Sequence, residues 1–220
     1  MAIIRGPKII KTGLILALDA ADINSYIGSG TNWRDMSAND NNGALTNSPT
    51  FNSSNGGSIV FNGTNQYIVV NSSASILPTT AYTKIAWFYV TSFATSNNII
   101  AGNNGQHTMW LAAGTKLNAG HNGSWSTVVS NTALSLNNWY CGAVTFNTTT
   151  GWVLYLNGIS ESTNISTTTF TGNGDVLLAS YTLGANLFTG RIACGLVYNR
   201  VLTATEILQN YNATKSRFGL

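Results

Sequence analysis

Acidic residues are scarce in this sequence, and their placement bears on whether the protein could hydrolyse a glycosidic bond. Such hydrolysis normally needs two carboxylates about 5–10 Å apart across the scissile bond. The 220 residues contain only seven Asp and Glu. Glu161 follows a predicted hairpin turn and Glu206 lies in a helix-capping motif, while Asp19 and Asp22 follow a predicted strand. The sequence therefore predicts that the protein is not an enzyme.

Tryptophan among uncharged polar residues indicates a second chemistry, carbohydrate binding, because an aromatic ring offers a large apolar face beside hydrogen-bonding groups. The chain has 28 Asn, 21 Ser and 28 Thr. Three tryptophans lie in apolar runs and are predicted core residues: Trp87, Trp139 and Trp152. The other three are the candidate carbohydrate-binding residues: Trp33, Trp110 and Trp125. The alternative is that these three cap the edges of the fold.

Carboxylates near the N-terminus form the third candidate site, for Ca²⁺, which takes hard oxygen ligands. Asp19, Asp22 and Asp35 are the candidate metal ligands, in a segment that also contains Asp40 and several Asn. The spacing does not follow an EF-hand, and the alternative is that these side chains hydrogen-bond turn backbones. No other cofactor is expected.

The histidines and cysteines indicate no further chemistry. His107 and His121 lie in Gly- and Asn-rich segments that we predict to be loops, without a nucleophile motif. Cys141 and Cys194 lie in apolar runs and are predicted to be small core residues.

Positive charge is concentrated at the two ends of the chain, and the region between them has a net charge of −2. No basic stripe crosses this region, so nucleic acid is not an expected partner. The sequence shows neither a signal peptide nor an apolar run of membrane-spanning length, so no membrane partner is expected. The residues at the ends are Arg5, Lys8, Lys11, Lys215 and Arg217.

Short β-rich runs separated by Gly, Asn, Ser and Thr account for most of the chain and predict a sandwich or barrel. Asn157-Gly158 after one run predicts a type I′ hairpin. Thr203-Ala-Thr-Glu206 is a capping box that predicts one short helix near the C-terminus. The predicted strands are Gly13–Leu18, Ser58–Phe61, Tyr67–Val70, Tyr82–Val90, Thr108–Ala112, Lys116–Ala119, Trp139–Phe146, Trp152–Leu156, Val176–Leu178 and Gly190–Tyr198.

Five segments of the chain carry a family resemblance when taken in order: Ser58–Tyr67, Ala81–Tyr89, Asn138–Phe146, Trp152–Gly158 and Phe188–Ile207. They resemble the laminin-G-like, concanavalin A-like lectin/glucanase superfamily of jelly-roll domains. The resemblance implies an all-β fold, a two-sheet antiparallel β-sandwich with one short C-terminal helix. It also implies Ca²⁺ as a candidate ligand of the domain. The family's glucanases carry an E-x-D-x-x-E strand that is absent here, and Asn62 and Asn65 replace the acids of the family's F-D-G-x-x-D-Y hairpin. Cys141 takes the position in which the family usually has His.

The N-terminal region, from Gly6-Pro-Lys-Ile to Asn41-Asn-Gly43, resembles a jelly-roll subgroup found in tailed-phage virion proteins. The resemblance implies a structural protein of the virion, assembled in the host cytoplasm, most simply a capsid decoration or head-fibre subunit. Its partners are then the major capsid protein or other virion subunits, in many copies or as a homo-oligomer. The alternative is a lectin-like adhesin that binds glycans on a phage tail or cell surface.

The predicted organisation has three parts. Residues 1–12 form an N-terminal arm whose Arg5, Lys8 and Lys11 contact a neighbouring subunit. Residues 13–214 form the jelly-roll domain, and residues 215–220 form a basic C-terminal tail.

Overall fold

A computed structural model describes residues 7–70, 76–94, 96–103, 106–112, 114–171 and 174–220. Within these ranges the chain forms two antiparallel sheets of eight strands each, which confirms the predicted sandwich.

Sheet I contains three long strands whose residues are mostly buried, so these strands are covered on both faces. β1 (Leu14–Asp19) pairs with the second half of β16 (Thr189–Tyr198), and β5 (Ser58–Asn62) pairs with the first half. In spatial order the strands are β14 (Ile159–Asn164), β13 (Gly151–Leu156), β12 (Trp139–Asn147), β7 (Ala81–Val90), β16 (Thr189–Tyr198), β5 (Ser58–Asn62) and β4 (Thr50–Asn52), with β1 (Leu14–Asp19) also on β16.

Sheet II packs against the inner face of sheet I. Its strands, in spatial order, are β11 (Ser124–Ala133), β10 (Lys116–His121), β9 (His107–Leu111), β8 (Asn97–Ala101), β15 (Leu177–Leu178), β6 (Tyr67–Val70), β3 (Gly43–Thr46) and β2 (Asn32–Trp33). Phe88 and Phe146 of sheet I and Met109 and Leu117 of sheet II are fully buried in the main core.

The predicted helix α1 (Ala204–Thr214) covers the outer face of sheet I. Its capping box is confirmed: the Thr203 hydroxyl accepts from the Glu206 backbone N–H, and the Glu206 side chain accepts from the Thr203 backbone. Trp87 stacks against Tyr211 of the helix and against Phe218, with ring centroids 5.6 and 4.1 Å apart. A second apolar core therefore lies between the helix and the sheet.

Both ends of the described chain pack on the domain. The Ile10 backbone N–H donates to Asn210 Oδ1 at 2.8 Å, and Tyr198 donates to the Ile10 carbonyl at 3.0 Å. Residues 215–218 form a 3₁₀ helix in which Arg217 pairs with Asp19 at 2.9 Å. Arg5 lies outside the described residues.

Each of the ten predicted strands overlaps a strand of the structure. The structure also contains short or polar strands that the sequence pattern did not indicate. The prediction that His107 and His121 lie in loops is wrong, because they are buried residues of β9 and β10. The strands missed are β2, β3, β4, β8, β11 and β14.

Candidate functional site

Two neighbouring recesses lie on the outer face of sheet II and share Trp110 and Trp125. The first, which we call the aromatic pocket, has a volume of about 200 Å³ and is lined by Ser96, Asn98, Thr108, Trp110, Trp125, Tyr181 and Asn186. The second, the polar groove, has a volume of about 650 Å³. Besides the two tryptophans it is lined by Gly123, Ser124, Ser126, Thr127, Asn164 and Ser166.

The floor of the aromatic pocket is formed by side chains of β8 and β9 that point away from the core. Successive side chains of a strand point to opposite faces, so Met109 of β9 enters the core while Thr108 and Trp110 face outwards. Asn98 of β8 is the register partner of Trp110 and lies beside it. Three residues separated by as many as twelve positions in sequence therefore share one face of the sheet.

The β10–β11 hairpin brings Trp125 over this face. Gly120 of β10 permits the close approach, because a Cβ there would overlap the Ser124 carbonyl oxygen and lie 2.8 Å from the Trp125 carbonyl carbon. Trp110 Nε1 donates to the Trp125 carbonyl oxygen at 2.7 Å. The two indoles are thus fixed relative to each other through the backbone.

A tight turn between β15 and β16 supplies Tyr181. The Tyr181 backbone N–H donates to the Ala185 carbonyl at 3.0 Å, which closes the turn. The Tyr181 ring meets the Trp125 ring edge to face, with centroids 5.4 Å apart. Partial burial raises the pKa of Tyr181. As in any neutral tyrosine, its hydroxyl can donate and accept a hydrogen bond.

Two buried polar atoms of the pocket have no hydrogen-bond partner among the described residues. Asn98 Nδ2 donates to the Asn186 carbonyl at 3.0 Å, but Asn98 Oδ1 is unpaired. Thr108 Oγ1 is unpaired as well, and both residues are 1% exposed. A buried polar atom without a partner costs about 1–3 kcal/mol. A hydroxyl group of a bound molecule, which both donates and accepts, could satisfy these atoms.

The pocket and the groove contain no Asp, Glu, Lys, Arg or His among the described residues that line them. What they offer is three aromatic rings, amides and hydroxyl groups. Such a surface can bind a polar, uncharged molecule by stacking and hydrogen bonding.

The structure brings together two of the three tryptophans predicted to bind carbohydrate. Trp110 and Trp125 share both recesses, as described above. The prediction for Trp33 is wrong: it is fully buried, because the alternation of β2 directs it into the core beside Tyr26, at a ring distance of 6.4 Å.

Sequence reasoning missed Asn98, Thr108 and Tyr181. The Thr108–Trp110 spacing of two residues is a signal that could have placed Thr108 on the same face as Trp110. Nothing local to Tyr181 shows that it lies near Trp125.

The three candidate calcium ligands have protein partners. The buried Asp35 carboxylate accepts from the backbone N–H groups of Ala17, Ser37 and Asn41 and from the Ser37 hydroxyl, at 2.6–3.0 Å. Asp19 pairs with Arg217, and Asp22 accepts from the Asn24 backbone and side chain. No group of three or more His, Cys, Asp or Glu suited to a metal ion occurs in the described ranges.

A buried polar cluster lies between the sheets, away from the aromatic pocket. His107 Nε2 donates to the Asp175 carbonyl, which leaves Nδ1 to accept from Lys84 Nζ at 3.2 Å. His121 Nδ1 likewise donates to the Thr168 carbonyl, and Nε2 accepts from the Tyr82 hydroxyl at 2.6 Å. Burial lowers the pKa of Lys84 and of His107, and lowers that of His121 to about 3. Both imidazoles are therefore neutral at neutral pH.

The two antiparallel sheets have the architecture of a lectin-like β-sandwich. The chain belongs to the concanavalin A-like lectin/glucanases superfamily, whose laminin-G family model matches residues 62–208. No curated protein matches the chain. No described helix has the length and hydropathy required of a membrane-spanning segment.

Solved structures with the same fold come from several larger proteins. Domain 4 of the arabinanase AbnA from Geobacillus stearothermophilus, in complex with arabinotriose, has a TM-score of 0.68 at 16% identity, covering 90% of this chain and 98% of that one. The binding domain of Paraclostridial Mosquitocidal Protein 1 has a TM-score of 0.72 at 17% identity, covering 92% and 52%. A Trypanosoma rangeli sialidase in complex with sialic acid has a TM-score of 0.69 at 13% identity, covering 93% and 33%.

The chain thus spans about a third of the sialidase and about half of the mosquitocidal-protein chain. At these identities the likenesses show the fold alone.

Proposed function

We propose that the protein is a non-catalytic carbohydrate-binding module whose ligand lies in the aromatic pocket. One observation carries the proposal: the pocket combines three aromatic side chains with two buried, unpaired polar atoms, Asn98 Oδ1 and Thr108 Oγ1. Sugars present apolar ring faces and hydroxyl groups together, so they complement both parts. The Geobacillus domain of the same fold, which is described in complex with arabinotriose, supports this class of ligand.

The placement of the acidic side chains supports a binding role over hydrolysis. All seven lie in the part of the chain that the structure describes, and none lines the pocket or the groove. Glu206 is paired with Arg200 at 2.6 Å, and the Glu161 carboxylate accepts from the backbone and hydroxyl of Thr132. A glycan in the pocket therefore meets no pair of carboxylates of the kind that glycoside hydrolysis requires.

The test is a glycan array probed with the wild-type protein and with Trp125→Ala. Trp125 lies in the walls of both recesses, so its removal should lower the signal of every bound glycan about tenfold or more. Ile27→Ala is the matched control, since Ile27 is 71% exposed and lies outside both recesses. Equal signals from wild type and Trp125→Ala would contradict the proposal, as would the absence of binding to any glycan.

We also propose that the protein has a structural role, as a subunit displayed on a phage particle. In this role it is bound to the major capsid protein or to another virion subunit. The supporting observation is the fixed N-terminal segment. Gln209 Nε2 donates to the Lys8 carbonyl at 2.8 Å, while the side chains of Lys8 and Lys11 are exposed. Two lysines held on a docked segment suit an acidic surface on a neighbouring subunit, in many copies or a homo-oligomer.

Incorporation into particles tests this second role. The double variant Lys8→Glu, Lys11→Glu should lower the number of copies per particle, whereas the control Lys116→Glu, on an exposed residue of β10, should not. Equal incorporation of all three proteins would contradict a role for the segment in attachment.

A further inference from the structure

We infer that the glycan is an uncharged oligosaccharide of at least two units, with one unit in the aromatic pocket and the next in the polar groove. The inference rests on the proposed carbohydrate-binding function and adds the charge and the extent of the ligand.

The lining chemistry excludes an anionic sugar from the pocket. A buried carboxylate requires a cationic or multiple-donor partner to offset the loss of its hydration. The described lining residues of both recesses include no Lys, Arg or His. The unpaired Asn98 Oδ1 is an acceptor, so it repels a carboxylate and attracts a donating hydroxyl group.

The unpaired atoms also specify the hydroxyl pattern of the buried unit. Asn98 Oδ1 requires a donor, because the amide nitrogen of the same side chain is already engaged with the Asn186 carbonyl. Thr108 Oγ1 can donate or accept. A neutral sugar that presents two hydroxyl groups towards β8 and β9 satisfies both atoms at once.

The sizes and arrangement of the recesses favour more than one sugar unit. The aromatic pocket, at about 200 Å³, falls below the roughly 300–1,000 Å³ typical of small-molecule sites. The polar groove, at about 650 Å³, adjoins it through the shared Trp110 and Trp125. A chain of sugars that extends from the pocket into the groove therefore contacts the two indoles that both recesses share.

The groove has the composition expected of a weaker, more open subsite. Apart from the two shared indoles its lining consists of Gly, Ser, Thr and Asn. Ser124 and Ser126 are exposed on β11 and present hydroxyl groups to solvent. We therefore expect the groove to add affinity through hydrogen bonds, with the stacking concentrated at the pocket.

Isothermal titration calorimetry on the full chain tests the charge of the ligand. The probes are neutral gluco-, galacto- and arabino-oligosaccharides of one to four units and the same oligosaccharides capped with sialic acid or a uronic acid. We expect a neutral series to bind, an acidic residue in the buried position to weaken binding about tenfold or more, and the neutral affinity to be insensitive to salt. Binding of acidic glycans alone would overturn this inference and leave the carbohydrate-binding function standing, whereas no binding at all would overturn both.

The length series tests the two subsites. Affinity should rise about tenfold from one unit to two or three and then level off. Ser126→Tyr narrows the groove and should remove this gain with length. Ser160→Tyr, on an exposed residue of β14, is the matched control and should behave as wild type. A gain with length that survives Ser126→Tyr, or the absence of any gain, would overturn the two-subsite arrangement.

Discussion

At the scale of single residues, the pocket combines aromatic rings with two unpaired buried polar atoms, Asn98 Oδ1 and Thr108 Oγ1. Unpaired buried polar atoms also occur outside the recesses, on Trp33, Ser58, Gln106, Trp152 and Ser162, so it is the combination with the rings that marks the site. Thr83, a buried threonine of β7, shows the usual arrangement: its hydroxyl donates to the Arg200 carbonyl and accepts from the Leu202 N–H, at 2.8 and 2.9 Å. Thr108 of β9 is equally buried, but its Oγ1 has no partner. The difference is explained if the Thr108 hydroxyl serves a ligand and contributes nothing to folding.

Thr108→Val separates these two roles. Valine has nearly the same shape and lacks the unpaired hydroxyl, so we expect the free energy of unfolding to stay the same or rise by about 1 kcal/mol. Glycan affinity should fall about tenfold. Urea denaturation and calorimetric titration of the same variant measure the two effects.

Thr83→Val is the control for this experiment. It leaves the Leu202 N–H and the Arg200 carbonyl without their partner and should cost about 1–3 kcal/mol of stability. A Thr108→Val protein that is destabilised as much as Thr83→Val would show that the Thr108 hydroxyl is structural.

At the scale of secondary-structure elements, the β10–β11 hairpin determines where Trp125 lies. Gly120 is required on β10 because the Ser124–Trp125 backbone crosses directly over it. A side chain at position 120 must displace that backbone, and the displacement carries Trp125 away from Tyr181. The shape of the aromatic pocket therefore depends on a glycine that lines neither recess.

Gly120→Ala should abolish glycan binding and lower the free energy of unfolding by about 1–3 kcal/mol, since overpacking has a cost of this size. Gly195→Ala in β16 is the matched control. Its Cβ would contact only the end of the flexible Leu178 side chain, at 3.0 Å, so a smaller loss of stability and normal binding are expected. Normal binding by Gly120→Ala would contradict the positioning role of the hairpin.

An element could be predicted from the sequence where its signal is local, and it was missed where its position depends on packing against distant residues. The Asn157-Gly158 turn was predicted correctly, because its two positive φ values of 51° and 80° are a local requirement that Asn and Gly meet. β8 and β11 were missed, since their Asn, Ser and Thr residues resemble the polar connections of this chain. Tyr181 reaches Trp125 only through the packing of a turn on a distant strand, which no local pattern encodes.

At the scale of the whole molecule, the two sheets enclose a polar cluster that links stability to pH. His107 and His121 each donate to a backbone carbonyl and accept from Lys84 and Tyr82, respectively. These hydrogen bonds require each imidazole to be neutral, and burial lowers the pKa of His121 from 6.5 to about 3. Between these pH values the unfolded chain binds more protons than the folded one, so acid favours unfolding.

Above about pH 6.5 we expect these two histidines to add no pH dependence to the free energy of unfolding. It should fall below that pH by up to about 1.4 kcal/mol per pH unit for each histidine. Urea denaturation from pH 4 to pH 8 measures the slope. The double variant Tyr82→Phe, His121→Phe replaces one pair by apolar rings and should reduce the slope, and an unchanged slope would contradict the assignment.

The central claim, that the glycan lies between Trp110, Trp125 and Tyr181, is tested most directly by NMR. In protein labelled with ¹⁵N, the indole N–H signals of the six tryptophans are followed during titration with the neutral oligosaccharide that binds best. The structure predicts shifts for Trp110 and Trp125, and none for Trp87 or Trp139, which pack beneath α1 and the C-terminal 3₁₀ helix on the other sheet. Shifts confined to Trp87 and Trp139, or no indole shift at saturating ligand, would contradict it.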